Sequence, residues 1–188
     1  IDTIDRLILD NGYENSMYTF ELTQHFTHTP IRAQLGTLGG GNHFIELGAD
    51  QNGMVWIIIH SGSRKLGYDI AQHYMRIAKE EAANNYIHAL HCGSVDGANY
   101  LVHMNTAKLF AEANRLLMAR IVMEKIKEVF NVSFEIDDII ATDVAHNIAT
   151  PVVLKDGTVH MVHRKGATPA HEGQVVVIPG SMGTFTYI

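Results

Sequence analysis

The residues best suited to chemistry fall in a few short segments. The first is Gly36-Thr37-Leu38-Gly39-Gly40-Gly41-Asn42-His43-Phe44-Ile45-Glu46. Consecutive glycines expose backbone N–H groups and let a ligand approach closely. The segment lacks the Gly-Lys-Ser/Thr of a phosphate-binding P-loop, and no helix clearly follows it. A glycine loop entering a strand, with an ordinary satisfied histidine, explains it equally well. The second segment is His60-Ser61-Gly62-Ser63-Arg64-Lys65. Its histidine ends an apolar run, and its hydroxyls and cations suit a phosphate. A polar turn after a core strand is the plain alternative. The third, Asp143-Val144-Ala145-His146-Asn147, offers an imidazole and an amide, though taken alone a single histidine in a polar loop is the better reading. The fourth, Ile178-Pro179-Gly180-Ser181-Met182-Gly183-Thr184, is a rigid turn with free N–H groups and hydroxyls, suited to a nucleotide. No histidine spacing here matches a zinc finger or His-Glu-x-x-His. His25, His28, His73, His103, His160 and His163 read as surface or packing residues, and the adjacent pair His91-Cys92 is poor ground for a metal. No Ser/His/Asp set has a nucleophile-elbow context.

The elements that must position these segments follow from periodicity. Residues 42–47 alternate, which predicts a strand with His43, Ile45 and Leu47 on one face and Asn42, Phe44 and Glu46 on the other. Met54 to Ile59 is a short apolar run between turn residues, hence a buried strand. Residues 68–87 read as a helix with Ile70, Tyr74, Ile77 and Ala78 on one face. A second helix covers 98–129, with a stripe of Leu109, Ala113, Leu116, Leu117 and Ile121. Leu7-Ile8-Leu9 suggests a short helix ending near Asn11-Gly12. Residues 152–164 predict a hairpin through a two-residue type I′ turn at Asp156-Gly157, and Gln174 to Ile178 a further strand. Central helices and a late hairpin predict an α+β fold: strands, two long central helices and a C-terminal hairpin, in one domain over 1–188.

Composition narrows the function classes. Of 188 residues, 46% are hydrophobic and 18% charged, as in an ordinary globular protein. No apolar run is long enough for a membrane span, and the first residues lack the features of a signal peptide. A single cysteine, Cys92, fits a reducing, cytoplasmic setting. The net charge of −6 excludes a globally basic nucleic-acid binder but not a local basic patch. Twelve histidines make the charge strongly pH-dependent.

Together the motifs GTLGGGNHFIE (36–46), HSGSRKLG (60–67), AHN (145–147), HRKGAT (163–168) and IPGSMGT (178–184) resemble the RtcB family, the GTP-dependent RNA-splicing ligases. The resemblance implies an RtcB-like core and an enzyme of tRNA splicing or RNA repair. It would join RNA bearing a 2′,3′-cyclic phosphate or 3′-phosphate to RNA bearing a 5′-hydroxyl, through GTP-dependent guanylylation and two Mn²⁺ ions. Carried over by motif, His43, His60 and His146 look like metal ligands. Asn42 and Asn147 look like GMP-phosphate contacts, and Glu46 like the carboxylate that reads the guanine edge. Pro179, Gly180, Ser181, Met182 and Thr186 look like nucleotide-pocket residues. Gln34 and Arg64 are candidates for holding the RNA terminal phosphate. The role of HRKGAT stays open. The family's upstream Asp-x-x-Cys-Gly motif and its downstream His-Gly-x-Gly motif, which carries the guanylylated histidine, do not occur in this chain. The resemblance therefore implies the central portion of a ligase, inactive alone and without its own catalytic nucleophile. The rival readings are a non-catalytic nucleotide- or RNA-binding module and a metal-dependent phosphoesterase.

Overall fold

A computed structural model describes residues 20–82, 87–134, 142–181 and 183–188. The short helix expected at Leu7-Ile8-Leu9 lies outside the described residues. The chain divides into two compact units, Ile1–Phe134 and Glu135–Ile188. The architecture is mixed α+β, as the sequence predicts.

In the first unit, single 3₁₀ turns at Gln24–Phe26 and Arg32–Gln34 lead into a hairpin of β1 (Phe44–Ala49) and β2 (Val55–His60). Helix α1 (Arg64–Glu81) and the 36-residue helix α2 (Val95–Phe130) follow. Both helices match the expected pair, with shifted ends. Helix α1 starts four residues before the expected position 68 and ends at Glu81 rather than 87. Helix α2 gains a turn at its start because the Ser94 hydroxyl accepts the Gly97 N–H, satisfying one of the donors a helix start leaves free. It stops at Asn131, which takes the left-handed φ of 50°.

The core of this unit lies between the helices. Leu66, Ile70 and Tyr74 of α1 meet Ala107, Phe110, Ala113 and Leu117 of α2, with Phe20, Ile31 and Leu35 filling the end. Phe20 and Phe110 stack edge to face at 5.2 Å. The face expected on α1 is the buried one, with Leu66 added. The stripe expected on α2 needs correction: Leu109 and Ile121 are exposed, and the buried stripe runs through Phe110, Ala113, Asn114 and Leu117. The sequence offers two apolar rows a small rotation apart, and packing against α1 selects the one bearing the large Phe110 ring. Burying a side chain such as Leu66 or Phe110 contributes about 1.5–3 kcal/mol.

The second unit contains a hairpin of β3 (Asn147–Val153) and β4 (Val159–Lys165), with Asn147 paired to Lys165 and Val153 to Val159. The hairpin is longer at its open end than the sequence suggests. Its turn also differs from the type I′ expected: among the described non-glycine residues only Arg64 and Asn131 have positive φ, so Asp156 does not supply one of the two left-handed residues such a turn needs. Leu154 accepts the Gly157 N–H at 2.9 Å and donates its own N–H to Thr158 at 2.8 Å. With Gly157 at φ 82°, this is a three-residue loop closed by a glycine bulge. The Asp156 carboxylate favours this form by accepting both the N–H and the hydroxyl of Thr158.

The strand expected over Gln174 to Ile178 is not formed among the described residues. Only Ile178 pairs, bridging antiparallel to Tyr187. A short apolar run becomes a strand only when a neighbour accepts its ladder, and this run meets a single bridge.

Candidate functional site

The open end of the β1–β2 hairpin gathers several of the chemically capable residues. Phe44 pairs with His60 across the ladder, so His43, just before β1, comes beside His60 at the end of β2. The two imidazole centroids are 5.7 Å apart, and His60 also meets the Phe44 ring edge to face at 5.4 Å. The Nδ1 of His43 lies 2.9 Å from the Leu38 carbonyl oxygen. A carbonyl can only accept, so Nδ1 carries a proton, and in the neutral ring Nε2 then keeps its lone pair. A histidine held this way at Nδ1 presents Nε2 in a fixed direction, which is compatible with binding a ligand.

The glycine loop is shaped around Arg64. Gly39 has a φ of 94°, and a Cβ there would collide with the Arg64 guanidinium and lie 2.7 Å from His43 Nδ1. Glycine is therefore required for Arg64 to cross the loop beside His43. Arg64 Nε donates to the Thr37 hydroxyl at 3.0 Å, and that hydroxyl donates to the Gln34 carbonyl at 2.6 Å. Arg64 itself opens α1 with a φ of 56°. A non-glycine residue held there costs about 1–3 kcal/mol and is typically retained at functional sites.

Gln34 is 5% exposed, and both ends of its amide are engaged. Its Oε1 accepts the Lys65 N–H at 3.0 Å, and its Nε2 donates to the Thr29 carbonyl at 3.1 Å. It thus braces the start of α1. Asn42 is exposed in the loop before β1, and Glu46 is exposed on β1 opposite Ile58.

His146, Asn147 and the 178–186 segment lie in the second unit. His146 is half-buried just before β3, and Asn147 is exposed at its first position. The HRKGAT segment, unassigned from sequence, supplies the partner strand: Gly166 N–H donates to Asn147 Oδ1 at 2.9 Å, and Ala167 N–H to the His146 carbonyl at 3.3 Å. Asn147 keeps its NH₂ group as a donor. The described residues of the 178–187 loop fold back on themselves, with Gly180 N–H on the Thr186 hydroxyl at 3.0 Å and Ser181 N–H on the Thr184 hydroxyl at 2.7 Å. Pro179, Gly180 and Ser181 are held in this loop, and Met182 lies outside the described residues. Within either unit, no group of three or more His, Cys, Asp or Glu side chains among the described residues is set to hold a metal ion.

Sequence reasoning missed the residues that hold the first-unit site together. Asn114 is fully buried on α2 and bonds to both the glycine loop and the Ser61-Gly62 turn. Arg115 donates to the Ser61 carbonyl at 3.0 Å. The available signal was a polar residue between Phe110 and Leu117 on a helix face that is otherwise apolar.

A second group of imidazoles also lies in this unit. His25, His73 and His103 surround Phe26, at centroid distances of 4.1, 5.2 and 4.8 Å. His103 shares a 2.6 Å hydrogen bond with the Tyr74 hydroxyl. Burial, then the neighbouring His25 and His73, lowers the affinity of His103 for a proton. His25 and His73 also line a cleft of about 270 Å³ with Asp69, Gln72 and Arg76. These rings pack, as the sequence suggests.

The motif resemblance is settled by comparison with known proteins. The family model described as tRNA-splicing ligase RtcB matches residues 9–188. The chain belongs to the RtcB family. Among similar proteins, the tRNA-splicing ligase RtcB of Methanocaldococcus jannaschii is 38% identical over 84% of this chain and 20% of its own length. The RNA-splicing ligase RtcB2 of Escherichia coli is 33% identical over 96% of this chain and 47% of its own length. The tRNA-splicing ligase RtcB of Pyrococcus horikoshii is 38% identical over 82% of this chain and 22% of its own length. This RtcB-family chain thus spans between a fifth and about half of these curated relatives. Among its described residues, no helix is long and apolar enough to cross a membrane.

Proposed function

We propose that this chain is part of a GTP- and Mn²⁺-dependent RNA ligase. The whole protein would join an RNA 2′,3′-cyclic phosphate or 3′-phosphate end to a 5′-hydroxyl end, in the cytoplasm, during tRNA splicing or RNA repair. The observation that carries the reading is the meeting of His43, His60 and Arg64 at one hairpin end in a chain of the RtcB family.

His43, His60 and His146 are the proposed metal-binding imidazoles. The donor set fits: His43 has its Nε2 lone pair available, and imidazole accepts first-row divalent ions. Mn²⁺, when bound, would supply positive charge to offset phosphate oxygens. The protein's own groups do the rest. Arg64 meets the RNA terminal phosphate with the guanidinium nitrogens not committed to Thr37, and Gln34 holds the start of α1 beneath it. Asn42 and the NH₂ group of Asn147 donate to the GMP phosphate. Glu46 accepts the two N–H groups of the guanine edge. The loop of Pro179, Gly180, Ser181, Met182 and Thr186 borders the nucleotide.

The test is paired binding. Mn²⁺ uptake is read from loss of the free-ion electron paramagnetic resonance signal, and GTP uptake by equilibrium dialysis. His43→Ala and His60→Ala should weaken Mn²⁺ binding by more than about 10-fold, because losing a group that only supports a ligand already costs about 10- to 100-fold. Glu46→Gln should weaken GTP more than ATP. Unchanged Mn²⁺ affinity in both histidine variants would contradict the metal assignment. In the full-length ligase, Arg64→Ala should lower ligation mainly through weaker binding of the RNA phosphate end.

A further inference from the structure

We propose that Asn114 is a positioning residue for the metal-binding face of His43: through Ser61 and the Leu38 carbonyl, it locks the imidazole with Nδ1 protonated and Nε2 free. The inference rests on the reading of His43 as a metal ligand.

Asn114 is 0% exposed and reaches two loop segments at once, the glycine loop and the Ser61-Gly62 turn. Its Oδ1 accepts the Thr37 N–H at 3.1 Å, and its Nδ2 donates to the Thr37 carbonyl at 3.1 Å. These opposed bonds fix which end of the amide is oxygen, because a flipped amide would face a donor with a donor and an acceptor with an acceptor. The same Nδ2 lies 3.2 Å from Ser61 Oγ and 3.3 Å from the Gly62 carbonyl.

The consequence runs through Ser61. Its hydroxyl, receiving the Asn114 N–H, gives its own proton to the Leu38 carbonyl at 2.8 Å. That carbonyl oxygen is the one His43 Nδ1 also meets, at 2.9 Å. A carbonyl has two lone pairs, and here both are taken, so its position and direction are fixed from two sides. Ser61 also follows His60 directly, so the same amide holds the chain beside both imidazoles. A buried network of this kind is effective only when every member is satisfied, and losing one partner leaves the others costly.

Two variants separate positioning from mere support. Asn114→Asp keeps the acceptor for Thr37 N–H but has no proton for Thr37, Ser61 or Gly62. The Ser61 hydroxyl would turn its proton to the new carboxylate and release Leu38. Ser61→Ala removes the second donor to Leu38 and leaves the Thr37 pair intact. Each variant is first shown to be folded by circular dichroism and methyl spectra. If Asn114→Asp fails to fold, Ser61→Ala carries the test.

The readout is the His43 tautomer in the metal-free 188-residue chain, from long-range ¹H–¹⁵N correlation spectra, followed by Mn²⁺ affinity. The wild-type chain should show one tautomer, with Nδ1 protonated. Both variants should show the second tautomer in exchange, and Mn²⁺ affinity should fall by about tenfold, the lower end for a supporting partner. A purely structural role would lower the melting temperature and leave the tautomer alone. An unchanged tautomer in folded Ser61→Ala would overturn the proposal. If the variants shift the tautomer but wild-type His43 is not broadened by Mn²⁺, the metal reading fails and the positioning of the imidazole stands.

Discussion

The two hairpins are built alike at their turns and differently at their open ends. Each turn is a three-residue loop ending in a left-handed glycine, Gly53 at φ 80° in the first and Gly157 at φ 82° in the second. Each has an aspartate accepting from the backbone beyond it, Asp50 from Asn52 and Met54, Asp156 from Thr158. Each also carries a histidine just before its first strand, His43 before β1 and His146 before β3. The open ends then part company. That of β1–β2 is tied to helix α2 by buried Asn114 and Ser61, 0% and 6% exposed. That of β3–β4 is held by its own partner strand, through bonds from Gly166 and Ala167. Turn chemistry is local and can be repeated, whereas the precision of a ligand at the other end depends on what the hairpin is fastened to.

The largest predicted difference comes from one positive-φ glycine near each open end, Gly39 in the loop before β1 and Gly166 just after β4. Gly39 and Gly166 both have positive φ, 94° and 68°. A Cβ on Gly39 meets Arg64 and His43, while one on Gly166 meets nothing within 4 Å. Gly39→Ala should cost about 2–3 kcal/mol, from backbone strain and the close approach to His43, with the flexible Arg64 guanidinium swinging aside. Gly166→Ala should cost about 1 kcal/mol, from strain alone. Equal losses in denaturant unfolding would break the comparison.

A smaller contrast separates the polar anchors. Ser61→Ala should cost about 1–2 kcal/mol, because Leu38 and Asn114 each lose a buried partner. Asn147→Ala should cost under about 1 kcal/mol, because water can replace its exposed bond to Gly166. The same unfolding measurement decides it, and a larger loss at Asn147 would reverse the argument.

The smallest effect is where the hairpins should behave alike. The Met54 N–H, with those of Asn52 and Gly53 and the Trp56 indole, holds Asp50 below its ordinary value of 3.8. The Thr158 hydroxyl and N–H do the same for Asp156. A lowered carboxylate contributes stability above the ordinary value and loses it as pH falls through the folded one. Melting temperature should therefore drop below about pH 4, and Asp50→Asn and Asp156→Asn should each flatten that drop slightly. A steeper acid loss in either variant would contradict the turn assignment.

These contrasts also mark how far the sequence could be read. Both long helices, the β3–β4 hairpin and the two strands before the helices follow from periodicity and turn residues. Strand β2, however, is half-buried to exposed where the apolar run predicts a buried strand. Its pairing with β1, which brings His43 to His60, is a structural finding. The α2 stripe through Leu109 and Ile121 does not hold, since two neighbouring apolar rows have similar periodicity and only packing against α1 decides between them. Asp156-Gly157 signals a turn, but not whether one or both residues take positive φ. Gln174 to Ile178 has strand composition, yet a ladder needs a neighbour that composition does not name. Asn114 is 77 positions from Thr37, so no local pattern links the amide to the loop it holds. At Gln34 the family resemblance implies a contact to the RNA phosphate, and the structure adds that its amide bonds to Lys65 and Thr29.

The central claim is that the open end of β1–β2 is a metal-binding face. Mn²⁺ titration of uniformly ¹⁵N-labelled chain, followed by paramagnetic broadening, tests it most directly. The account predicts that His43 and His60 broaden at the lowest Mn²⁺ concentrations and that His43→Ala shifts the titration by about tenfold or more. Broadening that begins at His25, His73 and His103, with His43 and His60 still sharp, would contradict it.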